Sequence, residues 1–273
     1  MCLILIALDN PNAKTLLEKF MSKSTPYDLR HGYGMLHKNN KEWISSKTTE
    51  PPFVDKQYKT LTNHSNIIVQ LRRIYTFNVE CRHIEAAHNI VNTPPYVYKN
   101  MYFMHQGNLL VPESGTIRKF QMYYKTPSFQ VKINKLMTII GSDLSKHIQG
   151  NTDSELWFHL FLHHYLKNKS HKLSRDQLAN AFINSIHDIE GAGFQDNSNI
   201  VFAHENYIMF ANIYRTDHIF STIYGTGERI HMDVANLYAD VNEGVSVCST
   251  RLKPSYQKSS KIKYTYIIYY PKN

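Results

Sequence analysis

Residues Cys2–Leu8 form an unbroken apolar run, CLILIAL, that stops abruptly at Asp9-Asn10-Pro11. So short a run suits a β-strand buried on both faces, which requires other layers to cover it on each side. It lacks a basic leader and meets Asp9 at once, so it reads as a core strand and not as a signal peptide. Asn10 can cap a following helix and Pro11 suits a first turn. Leu16, Leu17 and Phe20 give that helix an apolar stripe.

The rest of the chain is read the same way. His31–His37 and Asn66–Arg72 are predicted strands. Tyr96–His105 and Ile200–Tyr214 are predicted hairpins, the second turning at Glu205-Asn206. Val245–Cys248 and Lys263–Tyr270 add strands near the C-terminus. Thr152-Asp153-Ser154-Glu155 and Ser174-Arg175-Asp176-Gln177 fit capping boxes, in which a hydroxyl and a side chain three residues on satisfy free helix amides reciprocally. The first predicts a helix running towards Leu166. The second predicts one with Leu178, Ala181, Phe182, Ile186 and Ile189 on a single face. Polar, turn-rich stretches near Lys38–Lys41, Thr48–Pro52 and Gln195–Asn199 are loop-sized. This order of elements predicts an α+β protein with helices outside packed sheets. With 273 residues, 42% of them hydrophobic, and no linker or fixed-period repeat, one domain over residues 2–273 is expected.

Composition excludes several function classes. No apolar run reaches the roughly 18 residues of a membrane span. Three widely spaced cysteines (Cys2, Cys81 and Cys248) make neither a disulfide framework nor a zinc motif, which fits a reducing, cytoplasmic setting. Cys81 and Cys248 read as packing thiols. The net charge of +9 comes from scattered Lys and Arg, so a basic soluble protein is expected and not a nucleic-acid binder. The 15 histidines form no metal-binding motif, and His163 and His164 read as partly exposed helix surface, so no metal is expected. The absence of a Gly-rich phosphate loop argues against a nucleotide cofactor, and none is expected.

Chemistry is concentrated at Cys2. Removal of Met1, which a small second residue permits, would leave a thiol and a free α-amine on one residue. Such an amine has a reference pKa of about 7.7–8.0, so it can serve the thiol as base directly or through a water. No histidine partner is then needed.

Motifs further along give this start a context. Met1-Cys2-Leu3-Ile4-Leu5 resembles the Met-Cys-Arg-hydrophobic opening of class II glutamine amidotransferases. His31-Gly32-Tyr33-Gly34 resembles their Asp-Gly-Trp/Phe-Gly strand, and Ile67–Arg72 the strand ending in His-hydrophobic-Arg. Asn92-Thr93-Pro94-Pro95-Tyr96 is similar to Asn-Thr-His-Pro-Phe. Phe103-Met104-His105-Gln106-Gly107-Asn108 is similar to Phe-x-His-Asn-Gly-Asn, and Gly150–Glu155 to Gly-x-Thr-Asp-Ser-Glu. Six motifs occur in the family's order before residue 160, and the resemblance continues less closely to the C-terminus.

The resemblance implies the four-layer α/β/β/α sandwich of N-terminal-nucleophile hydrolases. It also implies hydrolysis of the γ-glutamyl amide of glutamine, or of a related γ-glutamyl compound, through a Cys2 thioester. Arg72 would bind the substrate α-carboxylate with its guanidinium fork, neighbouring Arg73 being the substitute if the register slips. Asp153 would accept from the substrate ammonium, and Gly34 would line the same pocket. The Gln106 side-chain amide and the Gly107 backbone N–H would hold the oxyanion. Departures from the family pattern are Gln106 for Asn, Gln70 for His, Pro94 for His, and Ile74-Tyr75 for small residues. They leave open, as the alternative, a catalytically impaired or inactive binding protein on the same fold. Two settings are expected for the enzyme: a subunit passing nitrogen to a separate synthase, or a free-standing γ-glutamyl hydrolase.

Overall fold

The computed structural model describes residues 3–22, 32–40, 42–52, 54–55, 57–61, 64–72, 89–107, 127–167, 175–194, 198–205, 207–214, 230–232, 237–240, 245–249 and 263–269. Its elements begin with β1 (Leu3–Leu8), α1 (Ala13–Ser22), β2 (Tyr33–Asn39), β3 (Glu42–Thr48), β4 (Ile67–Leu71), β5 (Tyr96–Tyr98) and β6 (Met101–Gly107). Four helices follow: α2 (Pro127–Ile140), α3 (Ser142–Ser145), α4 (Asp153–Lys167) and α5 (Arg175–Gly191). The chain then returns to strands: β7 (Ser198–His204), β8 (Tyr207–Tyr214), β9 (Ile230–Met232), β10 (Leu237–Asp240), β11 (Val245–Ser249) and β12 (Lys263–Tyr269).

The fold is α+β. Among the described residues, one sheet has seven strands in the order β3-β2-β4-β1-β11-β10-β9, and the other has five in the order β12-β8-β7-β6-β5. The seven-stranded sheet is antiparallel at every junction. The chain divides into a sheet unit, residues 1–106 and 199–273, and a helical unit, residues 107–198.

Within the sheet unit β1 sits fourth of seven, and residues 4–8 are each no more than 3% exposed. Strand alternation explains this. Leu5 and Ala7 pack with Leu17, Phe20 and Met21 of α1 and with Met35 and Val69 of β2 and β4. Ile4, Ile6 and Leu8 point the other way, into a second cluster with Ile68, Met104, Val201, Ala203, Ile208 and Phe210. That second cluster joins residues of both sheets, so the order here is helix, sheet, sheet. Trp43 fastens the two sheets at one end: its Nε1 donates to the His204 carbonyl at 3.1 Å, and its own carbonyl accepts from the Tyr102 hydroxyl at 2.9 Å.

The helical unit holds α2 to α5. Leu178, Ala181, Phe182, Ile186 and Ile189, the predicted stripe of α5, are all buried. Trp157 of α4 stacks on Phe182 and donates through Nε1 to Ser185 Oγ at 3.0 Å. In the first capping box Thr152 Oγ1 accepts from the Glu155 amide at 3.2 Å, and the Glu155 carboxylate accepts from the amides of Gln149 and Gly150 at 2.9 and 2.7 Å. Ser174 of the second box lies outside the described residues.

Several boundaries move. Asn10 does not cap α1 directly; its Oδ1 accepts from the Asn12 amide at 2.8 Å, making a turn that delivers the chain to Ala13. The stretch near Gln195–Asn199, expected as a loop, becomes strand from Ser198 onward. β3 and α2 were not expected. β3 is an exposed edge strand in which only Trp43 is buried, and α2 buries only Phe129, Leu136 and Ile140. Neither therefore carries a strong apolar period. No described helix is long and apolar enough to cross a membrane.

Candidate active site

The apolar layer between the two sheets ends in polar side chains. On β4 the inward residues run from Ile68 to Gln70 and, one step past the strand, Arg72; on β6 they run from Met104 to Gln106. On β7, Ala203 and Val201 give way to Asn199. Gln70, Arg72, Gln106 and Asn199 are nonetheless buried, at 1, 6, 0 and 0% exposure. Buried polar groups of this kind need partners at close range.

Those partners come from the sheet unit itself. Gln70 binds the backbone of His105 twice: its Nε2 donates to the His105 carbonyl at 2.5 Å, and its Oε1 accepts from the His105 amide at 3.1 Å. Gln106, the next residue, accepts through Oε1 from Asn199 Nδ2 at 3.3 Å. Arg72 donates from Nη1 to the Thr93 hydroxyl at 3.2 Å, while its amide donates to the Gly32 carbonyl at 3.0 Å. Lys47 of β3 reaches the Thr93 carbonyl at 3.2 Å, so two cations hold one buried threonine. Asn92 anchors the same segment through its carbonyl, which accepts from the Tyr96 hydroxyl at 3.0 Å.

Gly34 explains why this segment lies so close. It pairs with Gln70 on β4 and with Lys47 on β3. A Cβ at Gly34 would come within 1.8 Å of the Pro94 carbonyl oxygen, nearer than any side chain can stand. The Pro94-Pro95 bond is cis, and it crosses over the glycine beside Arg72 and Thr93. Gly32 has a positive φ of 85° and its own close backbone neighbour, the Thr48 carbonyl, at 2.0 Å from a built Cβ. Only glycine fits either position. Tyr33, between them, packs against the α1 side of the sheet. Burial, reinforced by the Asp55 carboxylate, keeps its phenol protonated well above the ordinary tyrosine range.

Of the residues proposed from the sequence, Arg72 meets Thr93, Gln106 meets Asn199, Gly34 is the strand partner of Gln70, and Gly107 closes β6 immediately after Gln106. Cys2, Arg73, Ile74, Tyr75 and Cys81 lie outside the described residues. Cys248 stands on β11 opposite Leu5. Asp153 belongs to the helical unit, at the first turn of α4, where its Oδ1 accepts from the Ser154 amide at 2.9 Å. That bond suits an acidic residue at a helix N-terminus in its own right. His164, expected as partly exposed helix surface, is partly exposed and pairs through Nε2 with Asp188 at 2.5 Å.

Three members of the polar group were not singled out from the sequence: Lys47, Thr93 and Asn199. Asn199 carried a usable signal, since it shares the strand parity of Val201 and Ala203. Thr93 carried only its place in the Asn92–Tyr96 motif, and Lys47 carried no signal, because a single Lys on an edge strand is ordinary.

No protein-family model matches the sequence, and no curated protein matches it. Solved structures do. A glutamine aminotransferase class-II domain protein from Silicibacter pomeroyi is similar at 16% identity and a TM-score of 0.49, over 93% of this chain and 92% of that one. A glutamine phosphoribosylpyrophosphate amidotransferase from B. subtilis is similar at 14% identity and a TM-score of 0.48; the match covers 91% of this chain but 41% of the other.

Proposed function

We propose that this chain hydrolyses the γ-glutamyl amide of glutamine, or of a related γ-glutamyl compound, with Cys2 as nucleophile once Met1 has been removed. The observation that carries the reading is the buried group of Arg72, Thr93, Gln106 and Asn199 at one end of the layer between the sheets. β1 begins at that end, where Leu3 is the strand partner of Leu71, the residue before Arg72.

Each residue then has a task set by its chemistry. Arg72, held by Thr93, offers a planar guanidinium to the α-carboxylate. Asp153 accepts from the substrate ammonium. The α-amine of Cys2 takes the thiol proton, and the sulfur attacks the γ-carbonyl carbon. Negative charge develops on the carbonyl oxygen, where the Gln106 amide and the Gly107 N–H stabilise it. The C–N bond breaks, the amine delivers the proton to the departing nitrogen, and a γ-glutamyl thioester remains. Water, deprotonated by the same amine, releases glutamate and restores the thiol.

The test is covalent. Intact mass first establishes whether the purified protein lacks Met1. Incubation with a diazo-ketone analogue of glutamine, followed by peptide mapping, is expected to label Cys2 and to be blocked by glutamine. Absence of label, or label on Cys81, refutes the assignment. Cys2→Ala is expected to abolish glutaminase activity with the fold intact, and equal turnover by variant and parent ends the claim.

A further inference from the structure

The two hydrogen bonds from Gln70 reach His105 just beyond the last residue pair of the β5–β6 ladder. The ladder between β5 and β6 runs Tyr98↔Met101, Val97↔Tyr102 and Tyr96↔Phe103, and β5 begins at Tyr96. Two residues further along the same register, Pro94 would stand against His105. Proline has no N–H to give, and the Pro94 carbonyl is already packed over Gly34. In an antiparallel ladder a residue turns its N–H and C=O to the same side, so it needs an acceptor and a donor together. A primary carboxamide carries both on one carbon. Gln70, 1% exposed, brings them from the opposite sheet to His105, 3% exposed. A glutamate would offer two acceptors, and the two ring nitrogens of a histidine diverge.

We infer that Gln70 is a positioning residue for the oxyanion donors, an inference that rests on the proposed glutaminase chemistry. The His105 carbonyl belongs to the same planar peptide unit as the Gln106 N–H. Clamping the amide and the carbonyl of His105 therefore fixes where Gln106 leaves the strand and how the following Gly107 N–H is aimed. Asn199 holds the far end of Gln106 through its Oε1. A displacement of about 1 Å at such donors costs on the order of 100-fold in rate, so a clasp on the preceding residue governs turnover without touching substrate.

Gln70→Glu tests this, because a carboxylate loses the donor while a protonated carboxyl regains it. Burial raises the pKa of such a glutamate above its reference of about 4.3. The expected result is a kcat about 100-fold below that of the parent near pH 8, with KM for glutamine within about threefold because Arg72 is unaltered. The ratio of variant to parent kcat is expected to climb towards one on acidification. Rates are expressed per active site titrated with the diazo-ketone, which removes any contribution from misfolded protein. Gln70→Met, tested beside it and in its place if the glutamate variant does not fold, is expected to show the same loss at every pH. Hydrogen exchange at the His105 amide is expected to quicken in both. A kcat within threefold of the parent in either variant, or a Gln70→Glu deficit independent of pH, overturns the positioning role and leaves the glutaminase reading standing. A parent that neither turns over glutamine nor takes a glutamine-protected label on Cys2 removes both.

Discussion

The layer between the two sheets has two ends built on the same strands and opposite in character. Towards one end lie Ile6, Leu8, Ile68, Met104, Val201 and Ala203, which satisfy each other by contact alone. Towards the other lie Gln70, Arg72, Gln106 and Asn199, equally hidden from water and each tied to a named partner. Apolar burial is non-directional, so the first end tolerates repacking of similar volume. Hydrogen bonds are directional, and a buried donor or acceptor that loses its partner costs about 1–3 kcal/mol. The difference shows where this fold gives up easy stability for fixed geometry, and that is where the chemistry is assigned.

Substitutions that separate stability from turnover sharpen the contrast. Ile68→Ala, at the apolar end, is expected to cost about 2–5 kcal/mol of folding free energy while leaving kcat per titrated site unchanged; urea denaturation and kinetics together measure it. A large fall in kcat would show that the two ends are not independent. Gln106→Met, at the polar end, is expected to do the reverse. Losing one oxyanion donor lowers kcat about 100- to 1,000-fold, with a smaller change in melting temperature than Ile68→Ala. Unchanged kcat would remove Gln106 from the site. Gly34→Ala drives a methyl group into the Pro94 carbonyl. It is expected to destabilise by about 1–3 kcal/mol and to raise KM for glutamine, because Thr93 carries Arg72; thermal melts and saturation curves read both effects.

The smallest expected effect lies outside this layer. Burial, and then the nearby His64, lowers the pKa of His37, whose ring centroid is 4.4 Å from that of His64. A histidine held neutral in the folded chain binds its proton more readily when unfolded. Stability is therefore expected to be full above about pH 6.5 and to decline below it as the unfolded state gains protons. Denaturation curves for His37→Gln are expected to lose less stability on acidification than those of the parent. An identical pH dependence would assign the decline to other groups.

Much of this organisation was legible in the residues. The apolar runs of β1 and β4, the neighbouring strands β7 and β8 and the stripe on α5 follow from periodicity, because burial of one face imposes a repeat on the sequence. Gly34, Arg72 and Gln106 were legible through the motifs that hold them. Edge strand β3 and helix α2 were not, since elements that bury only one to three side chains leave little pattern.

What the sequence determined by itself was therefore which segments are strands and helices, and which residues belong to the motifs that carry the family resemblance. What the tertiary structure decided was company. Gln70 stands out in the sequence as a departure from the family pattern; the structure makes it the partner of a backbone 35 residues away. Asn199 reads as part of a polar loop; in the structure it holds Gln106 across 93 residues. Local propensity is set by neighbours along the chain, whereas a buried hydrogen bond depends on register between strands, and register exists only once the sheets have formed.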